Sequence, residues 1–285
     1  MPTNREVYFS LINKKNKYLT RLVVKSLLND VNGFNDEVSL YKDFDLDCPN
    51  YEELMDKAKR IEEGEPFQYV LGYANFIDRY FDVTPDVLIP RQETEQLVIN
   101  VKAMIESTFI ENANIKILDV GTGSGVIAIS LKRYFPNADV YAVDIDDKAL
   151  DIAHKNAAKQ GQKVEFLQGN MLEPLLNKGL YFDVIVSNPP YIENIKTIDE
   201  QVFRYEPHKA LLANPSTFFY EEIFKHADEL LKPDGIMAFE IGEDMEEALV
   251  DLVYKYFPTA NILFSKDIYN KTRFLYIIEK GAKES

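Results

Sequence analysis

Residues Ile115 to Phe135 read IKILDVGTGSGVIAISLKRYF. A short apolar run ends at Asp119, glycines recur at positions 121, 123 and 125, and the segment from Val126 onward has the apolar spacing of a helix. A strand, a tight turn and a helix in that order form the first unit of an α/β fold. The alternation continues downstream. Short apolar strands are expected in DVYAVDI, KVEFLQG, FDVIVSN, GIMAFEIG, NILFSKD and RFLYIIE, which begin at Asp139, Lys163, Phe182, Gly235, Asn261 and Arg273, with helices between most of them. Seven strands so arranged imply a parallel, doubly wound, Rossmann-like sheet. The last two are too close for a crossover helix, so the sheet should end in an antiparallel pair.

Upstream, ETEQLVINVKAMIES places Leu97, Val98, Val101, Met104 and Ile105 on one helical face. Before it, NFIDRYFDVTPDVLI alternates aromatic and β-branched residues with polar ones around Thr84-Pro85-Asp86, which suggests a hairpin turning there. The first 75 residues carry helical spacing, as with Leu19, Leu22, Val23, Leu27 and Leu28. In NYEELMDKAKRIEEG, Asn50 reads as an N-cap with Glu53 three residues on, Leu54, Ala58 and Ile61 form a stripe, and Gly64 ends the helix. The expected organisation is a helical domain over 1–75, a β-hairpin connector over 76–90, and an α/β domain over 91–285.

Composition narrows the function classes. A net charge of -15 argues against gripping a polyanion, because nonspecific nucleic-acid binding needs lysines and arginines to neutralise phosphates. Lys14, Lys15 and Lys17 read as a solvated face. The single cysteine, Cys48, and the histidines His154, His208 and His226 show no metal-ligand spacing, so no metal is expected. The N-terminal stretch lacks a signal-like apolar region, and no apolar run approaches the roughly 20 residues that span a bilayer. A cytoplasmic monomer without membrane contact or stable nucleic-acid binding is the expectation.

The glycine turn lies at the carboxyl end of the first parallel strand, where ligands collect in open α/β sheets. Glycines allow a tight turn and close backbone approach, and the next helix offers free N–H groups. Gly121, Thr122, Gly123, Ser124 and Gly125 are therefore candidate cofactor-binding residues. Asp144 ends the next strand, where a carboxylate can accept hydrogen bonds from ribose hydroxyls. GxGxG in place of GxGxxG leans toward S-adenosylmethionine (SAM) over a dinucleotide, since SAM has no pyrophosphate to seat. After the third strand, Asn170 could bind the adenine amino group and Met171 could pack on the ring.

Strand FDVIVS runs directly into Asn188-Pro189-Pro190-Tyr191. Adjacent prolines remove two backbone donors and leave carbonyl acceptors, and the Asn188 side-chain oxygen adds another. Such a rim suits a planar NH2 group, with Tyr191 offering a ring face to the substrate. A loop histidine such as His208 is usually inert and is not read as a general base, and Tyr205, Glu206 and Pro207 could shape a substrate groove.

These residues resemble the HemK/PrmC family of peptide chain release factor glutamine methyltransferases. The resemblance rests on Glu65 to Gly72 (EPFQYVLG), Val87 to Glu95 (VLIPRQETE), ILDVGTGSG, AVD, NPPY, and Tyr205-Glu206-Pro207 with Ala210-Leu211. It implies methyl transfer from SAM to the glutamine side-chain nitrogen in the Gly-Gly-Gln motif of class 1 release factors. Carried over by position, Gly121 to Gly125, Asp144, Met171 and Asn188 would contact SAM. Asn188 to Tyr191 would hold the glutamine as the catalytic rim. The N-terminal helices would help bind the release factor, and Arg91 and Glu93, as substrate-binding residues, would with Glu95 brace the interdomain region near the site. The chain departs from the family in carrying Asn170 and Met171 where aspartate and an aromatic residue are common, and its first 60 residues match only loosely.

NPPY is shared with amino-methyltransferases that act on adenine or guanine, which remain the nearest alternative. A nonenzymatic SAM-binding module would not need a methyl-acceptor rim. An NAD dehydrogenase would need GxGxxG spacing and a proton-transfer residue.

Overall fold

A computed structural model describes residues 1–33, 37–110 and 114–279. The chain forms two compact units, Met1–Tyr73 with Glu200–Tyr205, and Ala74–Asp199 with Glu206–Ser285.

The smaller unit is helical: α1 (Asn4–Asn13), α2 (Arg21–Asn32), α3 (Glu37–Lys42), α4 (Tyr51–Glu62) and α5 (Phe67–Leu71). Thr3 and Glu6 close a capping box on α1, and the Thr20 hydroxyl accepts the Val23 N–H to start α2. Val7, Leu11, Val24, Leu27, Leu28, Leu54, Ala58 and Ile61 share one core. Leu22, read from spacing as part of that face, is 64% exposed, because the buried stripe of α2 runs through Val23, Val24, Leu27, Leu28 and Val31. Asn50 does not cap α4 with its side chain. Its Nδ2 donates to the Val31 carbonyl at 2.7 Å, and Glu53 pairs instead with Lys57. The short helix Glu200–Tyr205 joins this unit, with Gln201 Nε2 donating to the Gly64 carbonyl at 2.9 Å.

The larger unit opens with a two-stranded sheet, β1 (Tyr73–Phe76) and β2 (Arg79–Asp82). Its turn is Ile77-Asp78, both at positive φ (44° and 57°), and not the Thr84-Pro85-Asp86 turn that composition suggested. Two positive φ values match the primed turn that fits strand twist, here without the usual Asn-Gly signature. Phe76 and Phe81 carry the hairpin into the core.

There follow α6 (Gln92–Thr108), β3 (Lys116–Val120), α7 (Val126–Tyr134), β4 (Asp139–Asp144), α8 (Asp147–Lys159), β5 (Glu165–Gln168) and β6 (Phe182–Ser187). After α9 (Glu200–Tyr205) come α10 (Phe218–Ala227), β7 (Leu231–Glu240), α11 (Glu246–Tyr256), β8 (Asn261–Lys266) and β9 (Thr272–Ile278). The seven-stranded sheet runs β5-β4-β3-β6-β7-β9-β8. The first five of these strands are mutually parallel, whereas β9 is antiparallel to both β7 and β8. The expected antiparallel end is present, with the last strand inserted between its neighbours.

Successive strand residues face opposite layers. Ile117, Val184 and Val186 point to the layer of α6 and α7, whereas Leu118 and Ile185 point to that of α10 and α11. Strand order reverses at β3, which places the switch-point crevice at its carboxyl end.

Buried Asn156 on α8 ties the hairpin to the glycine turn. Its Nδ2 donates to the carbonyls of Asp82 (3.0 Å) and Ser124 (2.9 Å), and its Oδ1 accepts the Asp82 N–H (2.7 Å). Replacing it leaves the buried Ser124 carbonyl and the half-buried N–H and carbonyl of Asp82 short of a partner. Asn156→Ala is expected to cost about 2–4 kcal/mol in urea unfolding; an unchanged midpoint would show that the tie is dispensable.

Candidate active site

A cavity of about 270 Å³ opens at the carboxyl ends of β3, β4 and β6. Its floor is the glycine turn. Gly121 (φ 73°) and Gly123 (φ 55°) adopt conformations that disfavour a side chain, and the space where a Cβ would stand is open at both. Gly125 serves packing instead: a Cβ there would lie 2.8 Å from Ile129 Cδ1 and 3.1 Å from Ala153 Cβ.

The turn is held from beneath. Asp119 Oδ2 accepts the Thr122 hydroxyl (2.6 Å) and the Ala128 N–H (3.1 Å), while the N–H groups of Gly121 and Thr122 donate to the Val143 carbonyl. Asp119 is fully buried, and desolvation pushes its carboxyl up to about 7. Asp144 accepts the Gly123 N–H on Oδ2 (2.8 Å) and the Asp146 N–H on Oδ1 (3.0 Å), and burial raises it too. Each of its oxygens keeps a lone pair beside the cavity, as ribose hydroxyls require. Asn170 Nδ2 donates to Glu173 Oε1 (3.1 Å), so the remaining polar atom of that amide is an acceptor, suited to an amino group. Met171 lines the same wall at φ 46°. An open cradle, a strand-end carboxylate and this acceptor fit the nucleoside of SAM.

Asn188 and Pro190 line the same cavity, and Pro189 between them is buried. Asn188 Nδ2 donates to Thr94 Oγ1 (3.1 Å), which in turn donates to Glu240 Oε2 (2.7 Å). The Tyr191 ring packs on the core, and its hydroxyl points to Glu240 Oε1 at 3.4 Å rather than offering its polar end to solvent. Burial pushes Glu240 up to about 7 and raises Tyr191.

Arg91 lines the cavity with its guanidinium fixed by Glu206, whose second oxygen accepts the Ile89 N–H at 3.1 Å. Glu206 thus locks the VLIPRQ segment. Glu93 lines a separate open depression with Ile77, Gln96 and Ile268, and its charge also acts on Glu240 and Tyr191. Glu95 accepts the Ile77 N–H (3.0 Å) and braces the hairpin turn. Sequence reading assigned no role to Thr94 or Glu240. The signals were present: Thr94 continues the Leu97, Val98, Val101 stripe, and Glu240 is a carboxylate in an otherwise apolar strand.

Among the described residues no cluster of His, Cys, Asp or Glu could hold a metal ion. The sheet, glycine cradle and polar rim define a Rossmann-like methyltransferase. A methyltransferase-domain family model matches residues 111–281. The fold resembles a 16S rRNA methyltransferase from T. thermophilus, solved with AdoMet and guanosine, at 18% identity and TM-score 0.53, over 73% of this chain and 50% of that one.

The release factor glutamine methyltransferase of Staphylococcus aureus is 38% identical over 220 residues, covering 76% of this chain and 77% of its own. That of Flavobacterium psychrophilum is 42% identical over 224 residues, with 76% and 77% covered. The chain belongs to the release factor glutamine methyltransferase family.

Asp119 and Glu240 have ordinary values of 3.8 and 4.5, both raised to about 7 in the folded chain. The folded state therefore holds these protons more tightly than the unfolded one. The resulting stability is fully present below the ordinary values and is lost as pH rises through about 7. Exposed carboxylates are already ionised there, so melting measured from about pH 6 to about pH 8 follows the buried carboxyls, and the Glu240 variant separates its share. The melting temperature should fall, on the order of 2–4 °C for each kcal/mol lost. Glu240→Gln should flatten the slope, and an unaltered slope would count against a raised Glu240.

Proposed function

We propose that this chain transfers a methyl group from S-adenosylmethionine to the side-chain amide nitrogen of the glutamine in the Gly-Gly-Gln motif of a class 1 peptide chain release factor. The observation that carries the reading is Asn188: its N–H is engaged by Thr94, so its Oδ1 is the acceptor left for an NH2 group at the cavity wall. Family membership supports the choice of glutamine.

SAM, when bound, supplies an electrophilic methyl group on a sulfonium sulfur. Gly121 to Gly125 would hold it with Asp144, Asn170 and Met171, the glycines by close backbone approach and the polar side chains by hydrogen bonding. An amide nitrogen is a poor nucleophile because its lone pair is delocalised into the carbonyl. Asn188 Oδ1 and the Pro189 carbonyl would accept its two hydrogens, fixing the nitrogen and directing lone-pair density as it develops. The methylated nitrogen sheds one proton to solvent water, so positioning of this kind can supply much of the rate enhancement without a strong base. Val87, Leu88 and Pro90 on the facing wall keep the surroundings apolar.

The helical unit is proposed to dock the release factor, with the chain acting as a cytoplasmic monomer. No described helix is long and apolar enough to cross a membrane. The net charge of -15 disfavours a nucleic-acid substrate.

The test is transfer from labelled SAM to a purified release factor, beside the same factor with its Gly-Gly-Gln glutamine replaced and beside total RNA and DNA. Label on the intact factor alone is expected. Label confined to nucleic acid would move the assignment to an adenine or guanine amino-methyltransferase.

A further inference from the structure

An asparagine amide is nearly symmetric in shape, and a half-turn about its last bond exchanges acceptor for donor. A flipped Asn188 would present N–H to the N–H of its substrate. We infer that Thr94 and Glu240 are positioning residues that fix which way round the Asn188 amide stands and thereby set its oxygen toward the acceptor nitrogen. This rests on the methyl-transfer reading above.

Hydrogen-bond polarity carries the inference. An ionised carboxylate only accepts. Glu240 Oε2 stands 2.7 Å from Thr94 Oγ1, so the Thr94 proton is committed to it. The hydroxyl then has only lone pairs for Asn188, and Nδ2 at 3.1 Å must be the donor. Oδ1 is left for the substrate. Thr94 is 4% exposed and Glu240 3%, so bulk water does not compete for either.

The relay is built into the frame. Thr94 sits in the first turn of α6, and Glu240 ends β7 with its backbone carbonyl taking the Tyr220 hydroxyl at 2.7 Å. Charged and titratable neighbours of the carboxyl are Arg273 on β9, Glu93 on α6, Tyr191 after β6 and Tyr220 on α10. Burial and Glu93 raise Glu240, whereas Thr94 and Arg273 oppose them. A protonated Glu240 can donate to Thr94, and Thr94 can then donate to the Asn188 oxygen. That reverses the relay and turns the Asn188 N–H groups outward. Transfer should therefore rise with pH through about 7, in the window where Glu240 ionises, while SAM affinity does not.

The experiment compares the full chain with Thr94→Ser, Thr94→Ala and Glu240→Gln for kcat, for KM of the release factor, and for SAM affinity by calorimetry. Thr94→Ser restores the hydroxyl and should stay within about twofold of wild type, whereas Thr94→Ala should lose roughly tenfold or more in kcat with SAM affinity retained. Glu240→Gln should lower kcat and flatten its rise with pH. An unchanged kcat in Thr94→Ala, or parallel loss of kcat and SAM affinity, would overturn the relay. Should Thr94→Ala fail to fold by thermal melting, the other two variants decide, and a Gln variant that keeps the full pH rise overturns it. Wild-type labelling of nucleic acid in place of the factor would instead defeat the glutamine reading, and the same variants then test the relay on that NH2 substrate.

Discussion

The parallel register of β3 against its two neighbours is the constraint on which the site depends. Val120, the last residue of β3, pairs with Val143 of β4 on one side and Ser187 of β6 on the other. Asp144 in turn pairs with Gln168 of β5. The glycine turn, Asp144, the loop at Asn170 and Met171, and Asn188 therefore leave the sheet at one level, although they come from four separate stretches of sequence. The Ser187 hydroxyl, fully buried, donates to the Val120 carbonyl at 2.7 Å and fastens β6 to β3 at this point. A one-residue slip would exchange the faces of every side chain on β6 and break that bond.

Around that frame the chain buries carboxyl groups whose main contribution is geometric. Asp119, Glu240 and Glu206 are all nearly sealed from solvent. Buried charges are weak contributors to stability, since desolvation offsets most of the attraction. Each of these three instead fixes a geometry: Asp119 the glycine turn, Glu206 the Arg91 segment, and Glu240 the hydroxyl that meets Asn188. Rising pH is expected to weaken the fold through the same carboxyl that it brings into its working state, so stability and activity should move in opposite directions.

The fold was legible because its signals are local. Apolar runs separated by helical spacing marked all seven strands, and the glycine turn and NPPY marked two carboxyl ends. Features decided by tertiary contacts were not. Ile77-Asp78 makes the hairpin turn without a glycine or asparagine to announce it, and Leu22 matches a helical stripe yet faces solvent. Asn50 looks like a cap but finds the Val31 carbonyl. The Asn188–Thr94–Glu240 chain joins residues 94 and 146 positions apart, a pairing that only the packing of α6 over β7 creates. Sequence could mark Tyr191 beside the rim, but not that its ring packs against the core.

In this reading the rim acts by orienting the acceptor nitrogen rather than by holding the cofactor. The most direct measurement is single-turnover transfer from a preformed complex of SAM with Asn188→Ala, beside the SAM dissociation constant of the same variant. The account predicts a rate lower by about a hundredfold or more, with affinity changed by less than about threefold. Equal losses in rate and affinity would contradict it and make Asn188 a cofactor ligand first.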